Sequence, residues 1–317
     1  MIIKSQVDIT SAVLAELEGA ENPRFKEIMG AAIRHLHEFA REIKLTEPEF
    51  QQACAVIASL GQASNASHNE VVLAAGSTGL SALVCLLNNG DKGNTETTAN
   101  LLGPFWRPDA PLMASGSSIV RSARDTKNAL GTKLIVNASV IDASGAAVAG
   151  AEIDVWHSSN EGFYENQDPE QADMNLRARF MTDELGRFSF ETIKPIGYPI
   201  PVNGPVGVFL KLQGRHNMRP AHIHFMIRKL GFKTQFSQVY SSDDPNLETD
   251  VQFGVTQRLI GNYQLKGDKS NPWYSLDYQF VIEAGESRLP KPPITAKSEA
   301  PRPMLEVLTA RNNSSSS

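Results

Sequence analysis

The chain has 317 residues, a formal net charge of −5 at pH 7, two cysteines and 41% hydrophobic residues. That length can bury a sizeable core and predicts one large domain with a smaller companion. The acidic balance comes without a basic block, which argues against nucleic acid or an anionic membrane surface as partner, and the longest apolar runs fall far short of a membrane span.

The first hundred residues read as helices. Asn22-Pro23 has the form of an N-cap followed by proline at the first helical position. Beyond it Phe25, Ile28, Met29, Ala32, Ile33, Leu36, Phe39, Ala40 and Ile43 keep a 3.6-residue period. Thr46-Glu47-Pro48-Glu49 has capping-box form and opens a second helix, with Gly61 as its stop. A third helical stretch runs from Asn69 to Leu87 and ends at Asn88-Asn89-Gly90. Its small residues Ala74, Ala75, Gly76 and Gly79 would allow close approach of another helix or a ligand. Cys54 and Cys85 fall in these apolar helices and read as buried thiols in a reducing compartment. With no secretory signal read at the N-terminus, the cytoplasm is the expected location.

The pattern changes after Leu101-Leu102-Gly103-Pro104-Phe105. Leu134 to Val140 is a β-branched run that leads to a turn at Asp142-Ala143-Ser144-Gly145. Ala151 to Trp156 alternates with period two, and Asp183-Glu184-Leu185-Gly186 is a turn before Arg187-Phe188-Ser189-Phe190-Glu191. Short strands at this spacing predict a β-sandwich. From about residue 290 the chain is rich in proline and lysine and ends in Asn-Asn-Ser-Ser-Ser-Ser, an extended arm and a disordered tail. The expected organisation is α+β. A helical domain over 1–104 would pack on a mixed-topology β-sandwich over 105–289 that carries the site, followed by an arm and tail over 290–317.

Within that β region, Arg219-Pro220-Ala221-His222-Ile223-His224-Phe225-Met226-Ile227 carries most of the chemistry. In a strand, i and i+2 share a face, so His222 and His224 converge while Ile223 and Phe225 turn to the core. Two imidazoles on one face are half of a metal site. His35 and His37 have the same spacing, but in a helix that puts them roughly 200° apart, as ordinary surface residues. The plainer reading of His222 and His224 is a hydrogen-bonded core pair. No cysteine lies in the β region to make a thiolate zinc site, and the nearest acids, Asp243 and Asp244, come about twenty residues later. Two tyrosines lie in contorted segments, Tyr164 in Gly162-Phe163-Tyr164 and Tyr198 in Gly197-Tyr198-Pro199-Ile200-Pro201. Either alone would more often close a turn by packing its ring.

Taken in order, Gly-Phe-Tyr, Gly-Tyr-Pro and Arg-Pro-Ala-His-x-His closely resemble the intradiol ring-cleaving dioxygenases. These are the catechol 1,2-dioxygenase and hydroxyquinol 1,2-dioxygenase group, here in fungal-like form over about residues 70 to 285. The resemblance implies one non-haem Fe(III) per subunit, held by Tyr164, Tyr198, His222 and His224. It further implies that Tyr198 leaves the metal as the diol binds and takes one of its protons, and that Arg219 stabilises charge on the ring. Gln238 would hydrogen-bond near the ligands. Pocket walls implied are Leu73, Gly76, Gly103, Pro104, Phe105, Ile200, Pro201 and Phe253. The partners implied are a small aromatic diol and O2, a second copy of the chain joined through the helices, and phospholipid tails in that helical interface.

On this reading the activity is cleavage of catechol between its hydroxyl-bearing carbons to cis,cis-muconate, as in the β-ketoadipate pathway. The alternative is hydroxyquinol cleavage to maleylacetate. Hydroxyquinol-type members tend to carry an aspartate in the helix near Gly76, where this chain has none. An open apolar wall at Gly76 would favour catechol. Two readings from other classes stand beside this one: a zinc or cupin-like His-x-His protein, and a non-catalytic binding sandwich.

Overall fold

The computed structural model describes residues 2–89, 100, 102–121, 131–302 and 304–310. Gly90, Leu101 and the Asn-Asn-Ser-Ser-Ser-Ser end lie outside the described residues. The chain divides into two compact units, Met1–Ser59 and Leu60–Ser317.

The first unit is helical. α1 (Gln6–Leu17) begins at Ser5, whose backbone N–H donates to Asp8 Oδ2 at 2.9 Å. α2 (Pro23–Glu42) starts where the sequence places it, with Asn22 Oδ1 accepting from the N–H groups of Arg24 and Phe25 at 3.0 Å each. α3 (Glu47–Gln62) opens on half of the expected capping box, Thr46 donating to Glu49 Oε2 through N–H (2.9 Å) and hydroxyl (2.7 Å), and runs past Gly61. Cys54, expected to be buried, is exposed, because no residue of α3 is fully buried and its apolar positions form surface. Cys85 is half-buried, which pushes its thiol up to about 11.

In the second unit, the single helix expected over 69–87 is two, α4 (Glu70–Ser77) and α5 (Leu80–Asn89), bent by 76°. Gly79 adopts φ +78°, a left-handed conformation that ends a helix. No single helix among the described residues is long and apolar enough to cross a membrane.

The β region follows the two-sheet expectation. One sheet has the order β10 (Gln264–Lys266), β11 (Trp273–Ile282), β1 (Lys133–Asp142), β4 (Arg187–Ile193). The other runs β3 (Arg177–Met181), β2 (Glu152–Trp156), β7 (His222–Arg228), β8 (Gln235–Ser241), β9 (Ile260–Gly261). A short ribbon pairs β5 (Tyr198–Pro199) with β6 (Met218–Arg219), and α6 (Pro205–Gln213) lies between them in sequence. β1 pairs with β11 in parallel and with β4 antiparallel, so the topology is mixed.

Alternation along β7 decides where the two imidazoles point. Ile223, Phe225 and Ile227 are fully buried in the core shared with Val136 and Leu134 of β1, Phe188 and Phe190 of β4 and Phe280 of β11. His222, His224 and Met226 therefore take the opposite face, where Met226 joins Trp156, Tyr164 and Tyr198 in a second buried cluster. A one-residue slip would bury two imidazoles in the main core, so the large apolar side chains also fix the register of the histidines.

Candidate metal centre

β7 holds the two imidazoles from both sides. Trp156 of β2 stands opposite His224, its ring stacked on the imidazole at 4.7 Å and 10°. On the other flank, His222 faces Tyr240 and His224 faces Gln238 of β8. His222 Nδ1 lies 2.7 Å from the Pro220 carbonyl, which can only accept. That nitrogen therefore carries the proton, and Nε2 presents its lone pair inward. Tyr164 follows β2 through a tight turn in which Gly162 takes φ +82°. A Cβ on Gly162 would sit 2.9 Å from Tyr198 Cβ, so only glycine lets the two tyrosine segments meet. Tyr198 is placed by the β5–β6 pairing, which sets it opposite Arg219.

The four side chains converge at their polar tips. Tyr164 Oη is 3.2 Å from Tyr198 Oη and 3.4 Å from His222 Nε2, and His222 Nε2 is 3.1 Å from His224 Nε2. All four residues are buried. Burial, with the Arg219 charge alongside, pulls the His222 pKa down to about 3. Burial and the neighbouring His222 take His224 well below its usual range, so both rings are neutral near pH 7. Burial and the proximity of Tyr198 raise the Tyr164 phenol well above its usual value, and burial raises Tyr198 against the opposing Arg219 charge. Nothing in the protein itself ionises these phenols; a strong cation among them would.

Arg219 stands behind the donors, with Nη1 3.4 Å from His222 Nε2. It donates to Asp250 at Oδ1 (3.1 Å) and Oδ2 (3.0 Å), to Gln238 Oε1 (2.8 Å) and to Tyr240 Oη (2.8 Å). Burial opposes its charge, but Asp250, Tyr240 and Tyr198 more than offset that and hold its pKa well above the usual value. Beside this cluster opens a cavity of about 610 Å³, whose lining includes Gly76, Leu102, Gly103, Pro104 and Gln252. Gly103, at φ +77°, joins the cavity to the donors: a Cβ there would lie 2.9 Å from His224 Cε1. A larger hollow of about 830 Å³ lies on the outer face of the four-stranded sheet, at Asn137 and Asp277, and none of the four donors lines it.

Two family models match the chain. One described as "Dioxygenase" matches residues 102–284, and one described as "Catechol dioxygenase N terminus" matches residues 22–95. A hydroxyquinol 1,2-dioxygenase of Rhizobium sp. (strain MTP-10005) is 38% identical over 281 residues, 85% of this chain and 92% of that protein. The chain belongs to the intradiol ring-cleavage dioxygenases. A catechol 1,2-dioxygenase of Candida albicans is another such relative, 34% identical over 295 residues, 91% of this chain and 96% of that one. The solved structure of hydroxyquinol 1,2-dioxygenase from Pseudomonas putida DLL-E4 superimposes with a TM-score of 0.78 at 34% identity, covering 88% of this chain and 99% of the other.

Intradiol dioxygenases use non-haem iron, and the donor set here fits such an ion. Donors separated by 3.1–3.4 Å are what one centre about 2 Å from each would require. Phenolate oxygen is a hard anionic ligand suited to a trivalent ion, and the neutral imidazoles offer Nε2 lone pairs. No group of three or more His, Cys, Asp or Glu side chains that could hold a metal occurs among the described residues, so any metal here would draw on the tyrosines.

The remaining residues expected at the site of this dioxygenase scatter more widely. Phe105 packs its ring on Tyr164 at 4.6 Å, and its neighbour Trp106 anchors that loop by donating to Asp154 Oδ2 at 3.0 Å. Pro104 lines the cavity, whereas Leu73 and Ile200 are buried in the apolar cluster around the donors. Pro201 lines a separate hollow of about 360 Å³. Phe253, expected as a wall, is 54% exposed, has φ +55° and packs under Arg215 at 4.6 Å. Gln238 meets Arg219 and Tyr240. The wall at Gly76 is not open: a Cβ there would lie 3.0 Å from the carboxamide carbon of Gln252, which fills the notch. Tyr240, two residues after Gln238 on the same strand face, was within reach of the period-two rule. Asp250 and Gln252 were not, since they sit in a loop without periodic signal.

Proposed function

We propose that this chain binds one Fe(III) through Tyr164, Tyr198, His222 and His224 and cleaves catechol-type diols between the two hydroxyl-bearing carbons. Both atoms of O2 enter the product, so catechol would give cis,cis-muconate. The observation that carries the reading is the buried convergence of two phenols and two neutral imidazoles within 3.1–3.4 Å, with Arg219 directly behind. Bound iron supplies the charge that turns the phenols into phenolates and activates the ring of a coordinated diol toward O2.

The chain's own residues do the rest. Tyr198 Oη, on the two-residue strand β5 that follows Gly197, accepts a proton from the entering diol. Arg219, immobilised by Asp250 and Gln238, stabilises negative charge as it develops on the ring oxygens. Gly103, Pro104 and Phe105 border the ring, and their loop, pinned by Trp106 to Asp154, keeps water from the buried donors. In favour of a homodimer, α2 presents Phe25, Ile28, Leu36 and Phe39 each about half exposed or more.

Iron-loaded protein tests the reading. It should be red from phenolate-to-iron charge transfer, contain one iron per chain and consume O2 with catechol. A colourless iron-loaded protein that takes up no oxygen with any catecholic diol would end the proposal, and a colourless protein carrying zinc would support the His-x-His zinc alternative.

A further inference from the structure

Gln252 departs from everything the sequence suggests about the pocket. Its side chain is almost fully buried, at 3% exposure, yet its carboxamide makes no hydrogen bond to any described residue. Its backbone, by contrast, is held firmly. Asp250 Oδ1 accepts from the Gln252 N–H (3.2 Å) and Oδ2 from the Gly254 N–H (2.8 Å), while the same carboxylate grips Arg219. The loop thus places a carboxamide without a protein partner among the described residues at the wall of the 610 Å³ cavity, whose Gly103 side touches His224. Gly76 makes the space: any Cβ on it would meet Cδ, Nε2 and Oε1 of Gln252 at 3.0–3.3 Å.

A carboxamide that faces a cavity with no protein partner is free to bond whatever fills that cavity, which points to the ligand as its partner. A neutral carboxamide offers one acceptor and two donors, and a ring hydroxyl can answer both roles. A carboxylate substituent would answer only the donors, and an alkyl group neither. Resting on the catechol-type reading above, we propose that Gln252 selects diols bearing a third ring hydroxyl. It would take over, from the opposite side of the notch, a role that an acid on the helix would otherwise play. The unaltered enzyme should then favour hydroxyquinol over catechol, the reverse of what an open wall at Gly76 predicts.

The test compares kcat/KM for hydroxyquinol, catechol and protocatechuate in the iron-loaded wild type, Gln252→Met and Gly76→Ala. Anaerobic titration of the visible charge-transfer band with each diol gives binding separately from turnover. Gln252→Met, close in volume, should lower kcat/KM and affinity for hydroxyquinol by about 10- to 100-fold, the usual consequence of leaving one buried hydrogen-bonding group unpaired, and leave catechol within about threefold. Gly76→Ala displaces the carboxamide without removing it and should shift the ratio the same way by a smaller factor, which keeps the idea testable should Gln252→Met not fold. An unchanged hydroxyquinol-to-catechol ratio in both variants, or a wild type that prefers catechol or protocatechuate, would overturn the role of Gln252 while leaving the dioxygenase reading intact. Loss of all oxygen uptake in the wild type would instead strike the reading beneath it.

Discussion

Replacing Asp250 by Asn should cost far more than a conservative change usually does. The carboxylate is buried and accepts four hydrogen bonds, two from Arg219 and one each from the N–H groups of Gln252 and Gly254. Asparagine keeps one acceptor oxygen and aims an NH2 at a donor. It also leaves the Arg219 guanidinium, 1% exposed, without its counter-charge. Breaking a buried ion pair typically costs about 3–5 kcal/mol. Arg219 retains Gln238 and Tyr240 as acceptors, so the lower end applies, about 3 kcal/mol. For a unit of this size that is a fall in melting temperature of about 6–12 °C by calorimetry. Asp243→Asn, at a half-exposed pair with Lys194, is the control and should move the melting temperature by less than about 3 °C. Burial would raise the Asp250 pKa, yet Arg219 and the two backbone N–H groups hold it below the usual carboxylate value. A depressed carboxylate stabilises above its unfolded pKa of about 3.9 and loses that contribution as pH falls through the folded value. The gap between wild type and Asp250→Asn should therefore be full at neutral pH and narrow below about pH 4. A neutral-pH gap no larger than that of the Asp243 control would refute the reasoning.

Tyr164→Phe should lose bound iron outright, whereas Tyr198→Phe should keep more iron but turn over slowly, as metal analysis beside oxygen uptake will tell; full activity in Tyr198→Phe would remove its role as proton acceptor. Gly103→Ala combines a left-handed backbone (φ +77°) with a Cβ 2.9 Å from His224 Cε1. It should displace that imidazole and lower iron occupancy several-fold, and unchanged iron content would contradict the contact. Light scattering should give twice the 34.6 kDa chain mass at micromolar concentration, and a mass near one chain would rule out the dimer.

The parts of this molecule legible in the sequence are those governed by local rules. Asn22 caps a helix because its side chain reaches N–H groups two and three residues away, and the Glu49 carboxylate reaches back three residues to the N–H of Thr46. His222 and His224 share a face because a strand has period two. The two tyrosines were legible only through their resemblance to a family pattern, since nothing local says that Gly162 and Tyr198 touch. What escaped depends on distant encounters. Gly76 and Gln252 are far apart in the chain, so the filling of one by the other is invisible until the fold exists. Apolar composition misled at Cys54, where an amphipathic pattern recorded a surface rather than a core.

The parallel pairing of β1 with β11 has a consequence for how the protein comes into being. Leu134 lies beside Tyr274 and Asp142 beside Ile282, so the centre of one sheet joins the first strand of the β region to its last. Partners this distant in sequence pay a large loop-closure entropy before any packing rewards it, which places the fold among the slow ones. During synthesis, the strand that bears His222 and His224 leaves the ribosome well before β11 does. Until β11 docks, the sheet that backs Ile223, Phe225 and Ile227 lacks its middle, and these residues present a sticky face. The register of the imidazoles is thus secured only once β11 has docked, about fifty residues after the strand that carries them.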